Sequence, residues 1–199
     1  MARRKNRFGL EQLKKFAERH YLMTDGRYTK ISVVYQFAYN MENGVIVELG
    51  TGCGLSTVAL CYGTNYGGYS LPVHTVDHFV SFKGWSGEEY VPENKYTAME
   101  RFEKAGIDPI MHEDDFEDAA QEWKGGEISL LFWDAGSYLM ESHIAAWMNH
   151  VAIGGIILLH DTPDMRLGTK RVVDMLYKEG KYSDAQYPGN GFTSILKVC

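Results

Sequence analysis

The chain is short of positive charge, of cysteine and of long apolar runs. Twenty lysines and arginines stand against 26 aspartates and glutamates in 199 residues, a formal charge of −6. A nucleic-acid groove wants a basic face, so this balance argues against one. The basic start Arg3, Arg4, Lys5 and Arg7 is a short cluster and reads as a solvated tail. Cys53, Cys61 and Cys199 are odd in number and lack metal-ligand spacing, which fits free thiols in a reducing compartment. The longest apolar run, Val151 to Leu159, contains two glycines and is far too short to span a bilayer. No apolar h-region of a signal peptide opens the sequence. The expectation is a soluble, cytoplasmic protein with no nucleic-acid or membrane partner.

What the sequence does have is a glycine-rich stretch, Val45-Ile46-Val47-Glu48-Leu49-Gly50-Thr51-Gly52-Cys53-Gly54-Leu55-Ser56-Thr57. Apolar residues closing on a carboxylate, then alternate glycines, then Ser-Thr before an apolar run read as strand, tight turn and helix start. Glycines let such a turn take positive φ and let a ligand approach bare backbone. The helix beyond would aim unpaired N–H groups at that ligand.

Ahead of it, helical spacing of apolar residues predicts helices over about 9–20 and 28–39. The helix from Ser56 is expected to stop near Tyr62, at Gly63-Thr64-Asn65-Tyr66-Gly67-Gly68. Further strands are expected at Val73–Asp77, Pro109–His112, Ile128–Asp134 and Ile156–Asp161. Helices are expected from Pro92 to Gly106, through Ile144, Trp147, Met148 and Val151, and near Lys170–Lys178. The segment Phe79 to Val91, with Phe82, Trp85 and Tyr90, reads as a lid or a surface excursion. A hairpin closes the chain: Tyr182–Gln186, a turn through Pro188–Gly191, then Phe192–Val198.

Strands alternating with helices imply a largely parallel α/β sheet covered on both faces. Ligands of such sheets sit at the carboxyl ends of the strands. There this sequence puts Glu48, Asp77, Asp114/Asp115, Asp134 and Asp161. Leu55 occupies the place of the third glycine of a dinucleotide fingerprint, and Glu48 would repel a pyrophosphate. A cationic, amine-bearing ligand fits better. Asp77 is spaced to accept from ribose hydroxyls, and Asp114 or Asp115 to accept from an adenine amino group.

These residues resemble a class I S-adenosylmethionine-dependent methyltransferase over about residues 44–198. The resemblance implies a Rossmann-like three-layer sandwich, with a mostly parallel seven-stranded sheet and an antiparallel C-terminal hairpin. Residues 1–43 would form a helical segment serving as a lid or a homodimer surface, and 44–199 the cofactor-binding domain. The cofactor residues it implies are Glu48, Gly50, Thr51, Gly52, Gly54, Ser56, Asp77, His78, Asp114, Asp115 and Asp134.

Leu131–Tyr138 and Gly154–Thr162 further resemble the small-molecule O-methyltransferases that use a divalent metal, of macrocin, catechol and cephalosporin-hydroxylase-like type. That resemblance implies Asp134, His160 and Asp161 as metal ligands, with Asp134 and His160 catalytic. Mg²⁺ prefers oxygen donors, which suits Asp134 and Asp161; His160 is softer and favours another divalent ion, or a place outside the first ligand set. Relatives commonly carry a basic residue where this chain has Ser137, so His160, a metal-bound hydroxyl, or a substrate needing no base has to replace it. The expected reaction is methyl transfer to a hydroxyl of a small molecule. A cofactor-binding protein without catalysis and a nicotinamide-dependent oxidoreductase are the alternatives.

Overall fold

Every residue of Val45–Leu49 and of Ile128–Trp133 is buried, as expected of strands covered on both faces. The computed structural model describes residues 2–21, 25–80, 82–83, 89–90, 93–135, 140–160, 169–189 and 191–199. Two helices lead, α1 (Ala2–Tyr21) and α2 (Asp25–Tyr39). Then come β1 (Val45–Leu49), α3 (Leu55–Gly67), β2 (Val73–Val76), the short strands β3 (Phe82–Lys83) and β4 (Glu89–Tyr90), and α4 (Glu93–Ala105). The second half holds β5 (Ile110–His112), α5 (Phe116–Gln121), β6 (Ile128–Trp133), α6 (Met140–Trp147) and a 3₁₀ turn, Met148–His150. It closes with β7 (Val151–Leu159), α7 (Thr169–Lys178), β8 (Gln186–Gly189) and β9 (Phe192–Leu196).

The seven-stranded sheet runs β5-β2-β1-β6-β7-β9-β8, with β3 and β4 paired apart from it. Strands β5, β2, β1, β6 and β7 are parallel to one another, and β9 lies antiparallel to both β7 and β8. Alternation along each strand sorts the core into two layers. Ile46, Leu130, Phe132 and Leu158 pack with α1 to α4, and Val47, Leu49, Leu131, Trp133, Ile157 and Leu159 with α5 to α7. Leu13, Phe16, Ile31, Val34 and Tyr35 of the two leading helices share the first layer with the sheet. Among the described residues no helix is long and apolar enough to cross a membrane.

Three expectations need correction, and one helix is new. Helix α3 does not stop at Tyr62 but runs on to Gly67. Its glycines are contact points: a Cβ on Gly63 would lie 2.6 Å from Ala38 Cβ and 2.7 Å from Tyr35 O, and one on Gly67 2.6 Å from Tyr39 O. They let α2 and α3 touch backbone to backbone, which outweighs their low helix propensity. Strand β7 begins at Val151, which pairs with Ile128 instead of ending a helix. The register then shifts through Gly154, at φ 82, and Gly155. Helix α5 was not foreseen. Finally, the first strand of the terminal hairpin is Gln186–Gly189, while Tyr182 makes only an isolated bridge to Lys197. Pro188 is tolerated there because β8 is an edge strand, where a missing N–H costs little.

Candidate functional site

The chain leaves β1 through α3 toward β2 on one side and returns to β6 on the other. That reversal opens a crevice at the carboxyl ends of β1 and β6, where ligands of open α/β sheets bind. Hydrogen bonds continue past the strand ends: Gly50 N donates to Val76 O at 2.9 Å and Asp134 N to Leu49 O at 2.9 Å. The glycine turn and Asp134 are thereby held side by side.

The three glycines of the turn have different duties. Gly50, at φ 99, passes so close to the Asp134 backbone that a Cβ would meet its carbonyl oxygen at 2.7 Å. Gly54, at φ 80, lies under α4, where a Cβ would meet the Phe102 ring at 2.6 Å. Gly52, at φ 48, has nothing within 4 Å of the corresponding position, so the turn is open at this glycine. From α4, Arg101 Nη1 donates to Cys53 O at 2.6 Å and Asn94 Oδ1 accepts from Cys53 Sγ at 3.3 Å. These α4 contacts were invisible in the sequence, because they join residues more than 40 positions apart.

Asp77 does reach the turn. Its Oδ2 accepts from Gly52 N at 2.9 Å and its Oδ1 from Phe79 N at 2.8 Å, so it anchors the loop at its open glycine. Each carboxylate oxygen keeps further acceptor capacity. His78 beside it accepts from Val80 N at 3.3 Å and stacks on Phe116. Asp114 accepts from Asp115 N, and Asp115 caps α5 by accepting from Glu117 N at 2.9 Å.

Glu48 and Thr51 lie beneath the turn and are buried. Alternation turns Glu48 toward α3, where Thr57 Oγ1 donates to its Oε2 at 2.5 Å; Thr75 Oγ1, from β2, donates to the same oxygen at 2.8 Å. Thr75 also bonds Thr51 Oγ1 at 2.5 Å. Burial pushes the Glu48 carboxyl up to about 7, against the opposing pull of the Ser56, Thr57 and Thr75 hydroxyls. Thr57 and Thr75 were missed as site residues; no local pattern marks a hydroxyl that meets a carboxylate across strands.

At the ends of β6 and β7, His160 Nδ1 lies 2.7 Å from Asp134 Oδ1. His160 is buried against the Phe192 ring, 4.7 Å away, with its Nε2 enclosed. Asp134 is the open member of the pair, its side chain 32% exposed. His160, expected as a metal ligand and a catalytic residue, is buried and turns its Nδ1 to Asp134. Asp161 and Ser137 lie outside the described residues, as does Trp85 of the expected lid. Among the described residues no three His, Cys, Asp or Glu side chains converge as a metal site. The two donors that are described fit part of one: a carboxylate and an imidazole this close can ligate one ion side by side, a mixed set that suits a first-row transition ion better than Mg²⁺.

A family profile described as a methyltransferase domain matches residues 47–162. No curated protein matches the chain. Among solved structures, a methyltransferase of Podospora anserina, PaMTH1, crystallised with S-adenosylhomocysteine, is similar at a TM-score of 0.71 and 16% identity. The match covers 96% of this chain and 88% of that one. The O-methyltransferase TomG of Streptomyces achromogenes, in complex with S-adenosylmethionine, is similar at a TM-score of 0.66 and 15% identity, over 96% and 90% of the two chains. An O-methyltransferase of Bacillus cereus gives 0.66 and 16%, over 95% and 90%. At these identities the likeness is one of fold, and it is the Rossmann-like seven-stranded arrangement described above.

Proposed function

From the premise that this chain belongs to the methyltransferase-domain family, we propose that its S-adenosylmethionine-dependent transfer ends on a hydroxyl oxygen of a small molecule. The observation that carries this reading is the Asp134–His160 pair at the β1–β6 crevice, beside the glycine turn. In the reaction the hydroxyl oxygen attacks the methyl carbon in line, the carbon–sulfur bond breaks, and sulfur keeps the electron pair as a neutral thioether. The hydroxyl proton has to leave, and a carboxylate backed by an imidazole is a fitting acceptor. Asp134 Oδ1 is engaged by His160, so Oδ2 is the oxygen available to the substrate hydroxyl.

The open face at Gly52 suits the cofactor's approach to backbone, and Asp77, bound to Gly52 N, suits recognition of the ribose. Asp114, exposed in part beyond β5, is the better adenine acceptor of the two acids, because Asp115 is committed to capping α5. Positioning and exclusion of water are the protein's main contributions to such a transfer. A divalent ion would be held by Asp134, with His160 as nitrogen donor and Asp161 as the remaining ligand that the sequence pattern suggests; bound there, it would acidify a coordinated hydroxyl. The net charge of −6 favours a small acceptor over a nucleic acid.

Methyl-labelled S-adenosylmethionine offered with a panel of phenols, catechols, sugars and hydroxy acids tests the proposal. Label in a methyl ether is the expected result. Transfer only to amines or thiols would overturn it. Repeating the assay after chelation and metal add-back tests the ion separately.

A further inference from the structure

Among the described residues, Glu48 is a buried acid with no cation beside it. Its side chain is fully enclosed, and only Oε2 receives hydrogen bonds of normal geometry, from Thr57 and Thr75. Oε1 has no such partner, although the Ser56 hydroxyl is placed to ease its charge. The groups that face it are few. Helix α3 contributes Ser56, Thr57 and the Cys61 thiol, itself pushed up to about 12 by burial and in part by Glu48. Strand β2 contributes Thr75, and the end of β6 contributes the repelling charge of Asp134. Among the described residues no lysine, arginine or histidine is paired with it. A carboxylate enclosed this way is costly, and it has two remedies: take up a proton, or receive a cation from outside.

We propose that Glu48 is a neutral acid in the cofactor-free protein and releases its proton when the cationic half of the cofactor docks beside the Gly50–Gly54 turn, so that cofactor capture is coupled to proton release. The inference rests on the S-adenosylmethionine reading above and adds a linkage to it. The cofactor's methionine half carries a sulfonium and an ammonium against one carboxylate, a net positive charge. A positive charge within a few ångströms in a water-poor crevice favours the ionised carboxylate over the acid. The carboxyl, which burial holds near 7 without cofactor, then titrates lower, and the proton passes to solvent.

The Thr75 hydroxyl bonds both Glu48 Oε2 and Thr51 Oγ1, so the change of charge reaches the turn itself. After transfer, the product's sulfur is neutral and its ammonium is balanced by the amino-acid carboxylate. The product therefore holds Glu48 ionised less strongly than the cofactor does. Cofactor is preferred over product more strongly above pH 7 than below it.

Calorimetric titration of the full chain with S-adenosylmethionine, in buffers of different ionisation enthalpy, tests this. Release of close to one proton is expected at about pH 6 and almost none above about pH 8, with affinity falling up to about tenfold per pH unit below 7. S-adenosylhomocysteine is expected to release fewer. Glu48→Gln, isosteric with the neutral acid, is expected to bind without proton release and with a flat pH profile; its melting curve reports folding. An infrared difference spectrum of the unmodified protein gives a measurement independent of the variant: the protonated carboxyl band should disappear on cofactor binding. Release that persists in Glu48→Gln, or binding at pH 6 without release, overturns the linkage alone. No cofactor binding at any pH overturns the functional reading together with it.

Discussion

Alanine at Gly50 and alanine at Gly52 should do opposite things, although the two glycines stand two positions apart. Gly50 sits at φ 99, outside the conformations open to an L-residue, and its added methyl would press on the Asp134 carbonyl at 2.7 Å and Ala135 Cα at 2.9 Å. Both obstacles are backbone, held by the Asp134 N to Leu49 O bond, and neither can rotate away. The backbone strain costs about 1–2 kcal/mol. Displacing packed backbone adds a similar amount, for a total of roughly 3 kcal/mol. In a chain of this length that lowers the melting temperature by about 6–12 °C. Gly52 sits at φ 48 with nothing within 4 Å. Alanine there pays at most about 1 kcal/mol, or about 2–4 °C. Its methyl, however, stands on the face where the cofactor would lie and should weaken binding about tenfold or more, a loss of about 1.4 kcal/mol. Thermal unfolding and calorimetric titration with S-adenosylmethionine separate the two effects. If Gly52→Ala melts as low as Gly50→Ala while binding cofactor normally, the division of labour among these glycines is wrong.

Three further outcomes follow from the same contacts. Asp77→Ala removes the acceptor of Gly52 N and should weaken cofactor binding by about tenfold or more, the worth of a charge-assisted hydrogen bond; unchanged affinity in calorimetry would count against its role. Asp115→Ala removes the α5 cap and should cost about 1 kcal/mol in denaturant unfolding, with cofactor affinity little altered. His74, whose Nδ1 lies 3.0 Å from His112 Nε2, is held from 6.5 down to about 4 by burial and then by its neighbour. The unfolded chain therefore binds the extra proton between about pH 6.5 and 4, so this contribution is full above 6.5 and is lost as pH falls through that window. Its size is roughly 2–3 kcal/mol. Glu48, shifted upward, contributes with the opposite sign, its stabilisation present below 4.5 and lost as pH rises through about 7. The measurement is thus the difference between the protein and His74→Asn across pH 5–7, which should narrow as pH falls; a constant difference would refute it.

The order of the strands and their terminal acids could be read from sequence because both depend on local signals. Short strands closing on an acid marked β1, β2 and β6, with Glu48, Asp77 and Asp134 at or beside their carboxyl ends. Local signals failed where a distant neighbour decides the matter. Gly63 and Gly67 look like helix breakers until α2 is seen lying on them, and Gly154-Gly155 looks like a strand boundary until the shift against β6 is seen. Glu48 was expected among the cofactor residues, but its enclosure by Thr57 and Thr75 was not legible, since those contacts span 9 and 27 residues. The same holds for His160, whose ring reaches back 26 residues to Asp134.

The most direct test of the account compares Asp134→Asn with the unaltered protein, measuring methyl transfer to a hydroxyl acceptor and cofactor affinity side by side. Asparagine keeps the shape, and its Oδ1 can still accept from His160, but it carries no charge and cannot take the proton. Turnover should fall by about 100-fold or more while cofactor affinity stays within a few-fold. Unchanged turnover would contradict the assignment of the β1–β6 crevice as the place where the methyl group is transferred.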